Sequence, residues 1–211
     1  MDLEPAPGDE SSILSQDRRR KILAGAGRIF MAEGYEGASM SQIAAAADVS
    51  KGTLYNYYPG KRDLFAAFVA AGCNQLVTEM FSVQANAESP AETLTRIGRL
   101  MLTTMVTEKG LTMFRMVVME AAKFPELAKL FIKAGPETLV NHLASWLQTQ
   151  VAAARLRIAD PRFAAEQFFA LVQTRLVMRA RVDPAYQASD EEIDQVVAGA
   201  VQVFFAAYGP A

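Results

Sequence analysis

The stretch Ser50-Lys51-Gly52-Thr53 is the part of the sequence best equipped for recognition chemistry. Ser50 suits a helix cap, and Ser50, Lys51 and Thr53 are donors matched to phosphate oxygens. The free backbone N–H groups of a helix start would add to them, and Gly52 has no side chain to hold another molecule at a distance. Tyr55, Asn56 and Tyr57 follow within the same short segment, placed to meet base edges or phosphates. Asn can pair bidentately with adenine, a contact worth ~1–3 kcal/mol in discrimination. Lys61 and Arg62 lie just downstream, and Arg18-Arg19-Arg20-Lys21 lie upstream. Basic clusters at helix starts also fit a solvated face, and aromatic residues at helical spacing also fit a core. Leu54 and Tyr58 are expected in that buried role.

Three helices must position these groups. A first helix over about 16–33 has Ile22, Ala26, Ile29 and Phe30 on one apolar face and Gly34 as a left-handed stop. Ser39 and Gln42 have capping-box spacing for a very short second helix, which Asp48-Val49-Ser50 breaks. The third runs over about 51–57 and ends before Pro59-Gly60. Two short helices joined by a tight turn and braced by a longer one make a helix-turn-helix, whose second helix enters the major groove by its N-terminal end.

Charge distribution supports this placement although total charge does not. The 211 residues carry 21 Lys+Arg and 23 Asp+Glu, a formal net charge of −2. Residues 1–16 hold four acids and no base, 17–63 hold eight bases and five acids, and 64–211 hold thirteen bases and fourteen acids. The positive charge is therefore concentrated in the three-helix unit. Residues 1–15, acidic and carrying Pro and Gly, are expected to form a poorly ordered tail.

Several classes are excluded on inventory. One cysteine, Cys73, allows no internal disulfide, and one histidine, His142, leaves no Cys/His set for zinc. There is no G-x-G-x-x-G, no P-loop and no Glu-x-x-His pair. Neither an enzyme, a metal nor a cofactor is expected. The longest charge-free runs, 138–154 and 195–211, are interrupted by His142, Gln148 and Gln202 and do not read as membrane spans. With no signal-peptide pattern at Met1-Asp2-Leu3-Glu4-Pro5, a cytoplasmic location is expected.

From residue 63 onward the pattern changes to longer helices, for an all-α chain of about nine helices with no internal repeat. Expected spans are about 64–83, 90–107, 112–123, 125–154, 161–182 and 190–208, several opened by caps such as Ser89, Asp160 and Ser189. The last helix carries Ile193, Val196, Val197, Ala200, Val201, Phe204, Phe205 and Tyr208 as a broad stripe. Such a stripe fits a core, and it fits equally half of a four-helix dimer interface through Phe168, Val172, Val197, Val201, Phe204 and Phe205. Met101, Met105, Met113, Phe114, Val117, Trp146 and Phe169 are candidates to line an adaptable apolar pocket, with Glu120, His142 and Gln173 to orient a ligand. Packed core is the alternative for each of them.

The segments 30–35, 39–44, 49–58 and 61–65 together resemble the DNA-binding domain of the TetR family: FMAEGY, SMSQIA, VSKGTLYNYY and KRDLF. The match covers about 47 residues in register. It implies a homodimer that binds a double-stranded operator through paired helix-turn-helix units (16–62) and is released by a small apolar or amphipathic molecule bound in the remainder (63–211). By the same resemblance, Ser39, Ser41, Ser50, Lys51, Gly52, Thr53, Tyr55, Asn56, Tyr57 and Lys61 fall where family members touch DNA. Asp48 stands where the family usually has Gly, Asn56-Tyr57-Tyr58 departs from the commoner ending, and Pro59-Gly60 replaces a polar cap. Residues 114–128 with Ala134-Gly135-Pro136 are similar to the AefR-like type of C-terminal domain. The alternative reading is a helical small-molecule-binding protein without DNA binding, against which the donors Lys51 and Thr53 argue.

Overall fold

The computed structural model describes residues 7–81 and 89–210, with side chains from Leu14 onward, and among them there is no strand. The helices are α1 (Pro7–Gly37), α2 (Met40–Ala46), α3 (Lys51–Tyr57), α4 (Lys61–Phe81), α5 (Pro90–Val106), α6 (Glu108–Ala121), α7 (Pro125–Ile132), α8 (Thr138–Ala152), α9 (Pro161–Val172), α10 (Arg175–Val182) and α11 (Asp190–Tyr208). A π-helical turn, Lys133–Glu137, joins α7 to α8 and contains Pro136. Proline has no N–H for the helix ladder, and the Thr138 hydroxyl donates instead to the Lys133 carbonyl at 2.7 Å.

Four boundaries differ from expectation, and one of them is that the π turn divides the expected helix 125–154 into α7 and α8. α1 begins at Pro7, so residues 7–15 of the expected tail are helical, while 1–6 lie outside the described residues. Thr107 caps α6 by accepting from the Gly110 N–H at 3.2 Å, four residues ahead of the expected start. The expected helix 161–182 is two, because the backbone leaves helical geometry at Thr174, where neither Pro nor Gly marks a break. The Ser39, Ser89 and Ser189 capping boxes form as the spacing predicts.

Two apolar cores organise the chain. One gathers Ile22, Ala26, Phe30, Ile43, Leu54, Tyr58, Leu64 and Phe65 beneath α1–α4, and it also takes Met116 and Val117 from α6 and Leu127 from α7. The other joins α5, α8, α9 and α11 through residues such as Ile97, Leu143, Phe168 and Phe204. Helix α4 lies between them: Leu64, Phe65 and Val69 serve the first core and Val77 and Met80 the second. It is also long and apolar enough to cross a membrane by length and composition, yet here it packs along α1, α7 and the π turn.

Half of the apolar stripe of α11, Ile193, Val197, Ala200 and Phe204, is buried in the core. Phe168, Val172, Val197 and Phe204 are at most 1% exposed within the single chain, so their side chains cannot reach a second copy. Val201 and Phe205 are half-buried against the same cluster. Four of the six expected interface residues therefore face inward, while Val201 and Phe205 keep part of their surface outside. An added Cβ on Gly98 of α5 would stand 3.3 Å from Phe168, Val172 and Val197, so the missing side chain lets α5 approach α9 and α11 closely.

Candidate nucleic-acid interface

The three-helix head depends on one close approach. A Cβ on Gly25 of α1 would fall 2.7 Å from the Ala47 backbone nitrogen and 2.8 Å from its Cα, a distance that no rotamer change relieves. Gly25 thus admits the turn between α2 and α3 against α1. In that turn Asp48 adopts a φ of 54°, a left-handed conformation that Asp tolerates better than most residues. Leu54 and Tyr58 are buried as expected, and the Arg19 guanidinium donates to the Tyr58 hydroxyl at 3.1 Å. The only signal that Gly25 carries in the sequence is a small residue three positions after the buried Ile22.

The start of α3 is capped and exposed. The Thr53 N–H donates to the Ser50 hydroxyl at 3.0 Å, and the two hydroxyls share a further hydrogen bond of 2.8 Å. This fixes the first turn while leaving Ser50, Lys51 and Gly52 exposed, with Tyr55 and Asn56 exposed one turn on. A Cβ on Gly52 would meet only Ser50 Oγ, at 3.8 Å. Nothing within the chain requires glycine there, although glycine costs a helix up to ~1 kcal/mol relative to alanine. Its absent side chain leaves the outer surface of the first turn of α3 bare. At the start of α2, the Gln42 N–H donates to the Ser39 hydroxyl at 3.2 Å, the Ser39 N–H donates to Gln42 Oε1 at 3.0 Å, and Ser41 is exposed beside them.

Two residues of the expected set have other roles. The Lys61 ammonium donates to the carbonyls of Tyr35 (2.9 Å), Ala38 (3.0 Å) and Glu36 (3.3 Å), and stands 4.6 Å above the Tyr35 ring. Past the bend at Gly34 (φ 70°), the last carbonyls of α1 lack helical donors, and a cation is the natural partner for that end. Lys61 therefore clamps this segment within the chain, a structural role beside the DNA contact that the family resemblance implies for it. Tyr57 is half-buried, its hydroxyl 3.4 Å from Ser15 on α1. Arg20 pairs with Asp17, and Arg28 donates to the Ala46 carbonyl, whereas Arg18 and Lys21 are exposed.

The expected ligand set does not converge. Met101 and Phe169 are buried in the body core, with Met105 and Trp146 against it. Val117 is buried in the head-side core, with Met113 packed on it. Phe114 lies under the Arg181 guanidinium at 3.7 Å, and the exposed His142 ring stacks on Phe81 with centroids 5.1 Å apart. Gln173 Nε2 donates to the Phe169 carbonyl at 3.2 Å, and Glu120 is buried at the seam between α1 and α6. A cleft of about 900 Å³ opens elsewhere, where the α5–α6 junction faces the connector into α11. It is lined by Thr103, Leu111, Arg115, Tyr186, Gln187 and Ile193 among others, and by none of the ten expected residues. Among the described residues no group of three or more His, Cys, Asp or Glu side chains is arranged to hold a metal.

Comparison with known proteins agrees with this geometry. Residues 22–68 match the model of bacterial regulatory proteins of the tetR family, and residues 92–210 match that of the C-terminal domain of AefR-like transcriptional repressors. The HTH-type transcriptional regulator LmrA of Bacillus subtilis is 40% identical over 50 residues, and the repressor KstR of Rhodococcus jostii is 39% identical over 62. Those alignments cover 24% and 29% of this chain, and only 27% and 29% of the relatives' own length. Likeness to solved structures runs further. A TetR-family regulator from Mesorhizobium loti is 25% identical with a TM-score of 0.84, covering 92% of this chain and 98% of that one. The flavonoid-responsive regulator FrrA is 33% identical with a TM-score of 0.76, over the same shares. With a bare, capped α3 on a helix-turn-helix head and family matches to both ends, the chain belongs to the TetR family of bacterial regulatory proteins.

Proposed function

We propose that this protein is a cytoplasmic transcriptional regulator that binds operator DNA as a homodimer, acts as a repressor and is released by a small molecule. The observation that carries the reading is the start of α3. Ser50, Lys51, Gly52, Tyr55 and Asn56 are exposed along one edge of a rigid head, and Gly52 serves no internal packing purpose. Ser50, Lys51 and Thr53 would contact phosphates, while Tyr55 and Asn56 would meet base edges. Ser39 and Ser41 would add contacts from α2, and Tyr57 a lesser one.

Dimerisation is assigned to the outward faces of α9 and α11. Phe163 and Val203 are 52% and 53% exposed, Ala170, Ala198 and Ala206 are exposed with them, and an added side chain at Gly199 would meet only open space. Small and apolar residues on two neighbouring helices suit close packing against a second copy. Val203→Glu should convert the dimer to monomer in sedimentation without unfolding the chain. The effector is assigned to the cleft beside Arg115, a size that suits a small molecule. The likeness to a flavonoid-responsive regulator makes flavonoids the first class to try.

The test is selection of bound fragments from the genome of the source organism. One or a few enriched sites, near a palindrome with half-sites ~34–36 Å apart, are expected. Enrichment no better than random duplex would overturn the reading. At a recovered site, Lys51→Ala should weaken binding across sequences and flatten its salt dependence, and an unchanged slope would remove Lys51 from the phosphate contacts.

A further inference from the structure

We infer that Lys123 is a positioning residue for DNA reading, its ammonium shared between Glu36 of the head and Glu120 of the body so that the choice of partner sets how the head is held. The inference rests on the proposed reading that the head binds DNA. Lys123 follows the end of α6, in a turn fixed by the Glu120 carbonyl, which accepts from both the Lys123 N–H (3.0 Å) and the Phe124 N–H (2.8 Å). From there its ammonium donates to Glu36 Oε1 and stands 3.8 Å from Glu120 Oε2.

The two acids are unequal. Glu36 is exposed and easily hydrated, whereas Glu120 is 3% exposed and its Oε2 accepts no hydrogen bond among the described residues. A buried carboxylate oxygen without a donor is costly, so Glu120 draws the ammonium inward while Glu36 holds it. A move of about 1 Å would bring Lys123 to the ~2.8 Å typical of an ammonium–carboxylate hydrogen bond. In the described arrangement the bond to Lys123 holds Glu36 below the usual carboxylate range and raises Lys123. The Arg62–Glu126 pair between α4 and α7, at 3.4 Å, is looser and does not involve the segment that carries Glu36.

The consequence reaches the DNA surface through a short path. Glu36 lies in the segment whose carbonyls Lys61 clamps, and that segment runs directly into Ser39, the cap of α2. Buried Tyr35 beside it packs on Phe30, Phe65 and Phe124, and its phenol is pushed up by burial and next by the Glu120 charge. Displacing Glu36 therefore moves the start of α2 together with α1 and α4. An exposed ion pair without such a role would be nearly neutral.

The test uses Glu36→Gln, Glu120→Gln and Lys123→Met in the full chain, with operator affinity and hydrogen exchange of the amides of residues 35–39 as readouts. Glu36→Gln leaves Lys123 to Glu120, and Glu120→Gln leaves it to Glu36. The two should shift operator affinity in opposite directions, each by about 5-fold or more. Exchange at 35–39 should speed up in the first and slow in the second, and in a Lys123→Met background both effects should vanish. Shifts of the same sign, or a Glu36→Gln effect that persists undiminished with Met at 123, would overturn the inference. If no operator is recovered, the DNA reading fails while the exchange measurement still judges the shared ammonium. Operator binding that is normal in the wild type, with same-sign variants, would sink the shared ammonium alone.

Discussion

The head and the body use the same residue types to different ends. In α1–α3, the polar residues at helix starts are exposed along one edge, and the apolar ones beneath them are buried. In α5–α11, the methionines and aromatic residues expected to line one pocket are instead divided between two cores and the surface, while the cleft is lined by other residues. Short caps and turns fix local geometry and also which groups remain outside. An apolar stripe fixes only that a face is covered, and is silent about what covers it.

That contrast can be broken most forcefully in the body. Phe168→Ala should cost ~3–5 kcal/mol in urea unfolding, as expected for a fully buried aromatic side chain. If Phe168 served an interface, the loss would instead depend on protein concentration. In the head, Gly25→Ala should cost about 3 kcal/mol, at the upper end for overpacking, because the new methyl meets backbone rather than a movable side chain. Wild-type stability in that variant would show that the α1–turn contact is looser than described.

Lys61→Met should lose ~1–3 kcal/mol by leaving three carbonyls without their cation, and at a recovered operator it should leave the salt slope unchanged. A flattened slope would add a phosphate contact to the clamp made by Lys61. The smallest effect has the opposite sign. Gly52→Ala should leave the fold unharmed or up to ~1 kcal/mol more stable while weakening operator binding, a split that thermal melts and a binding titration read together. Loss of stability would mean that glycine is needed within the chain after all.

Much of the head was legible from sequence because its signals are local. Ser39 with Gln42, Ser50 with Thr53, and Asp48 in the turn are interactions over three residues or single-residue conformations, and each forms. The clamp made by Lys61 is not legible locally, because its partners lie 23 to 26 residues away, around a bend that only the folded chain brings near. In the body, the helix existence was legible from caps and periodicity. The break at Thr174 was not, since no Pro or Gly marks it. Nor was the facing of Phe168, Val172, Val197 and Phe204, because core and interface demand the same stripe.

The head-side core also bears on how this protein could be re-engineered. Met116, Val117 and Leu127 complete a cluster otherwise built from α1–α4, so a cut after Arg62 passes through a continuous apolar interior. A chimera that joined residues 1–62 to a foreign body would expose Leu54, Tyr58 and Phe30 to whatever surface the recipient offers in place of α4, α6 and α7. The transplantable unit is therefore a patchwork of head, α4 and the facing strip of α6 and α7, and under the proposed reading operator specificity would be exchanged more easily by rewriting the exposed residues of α3 than by moving the domain.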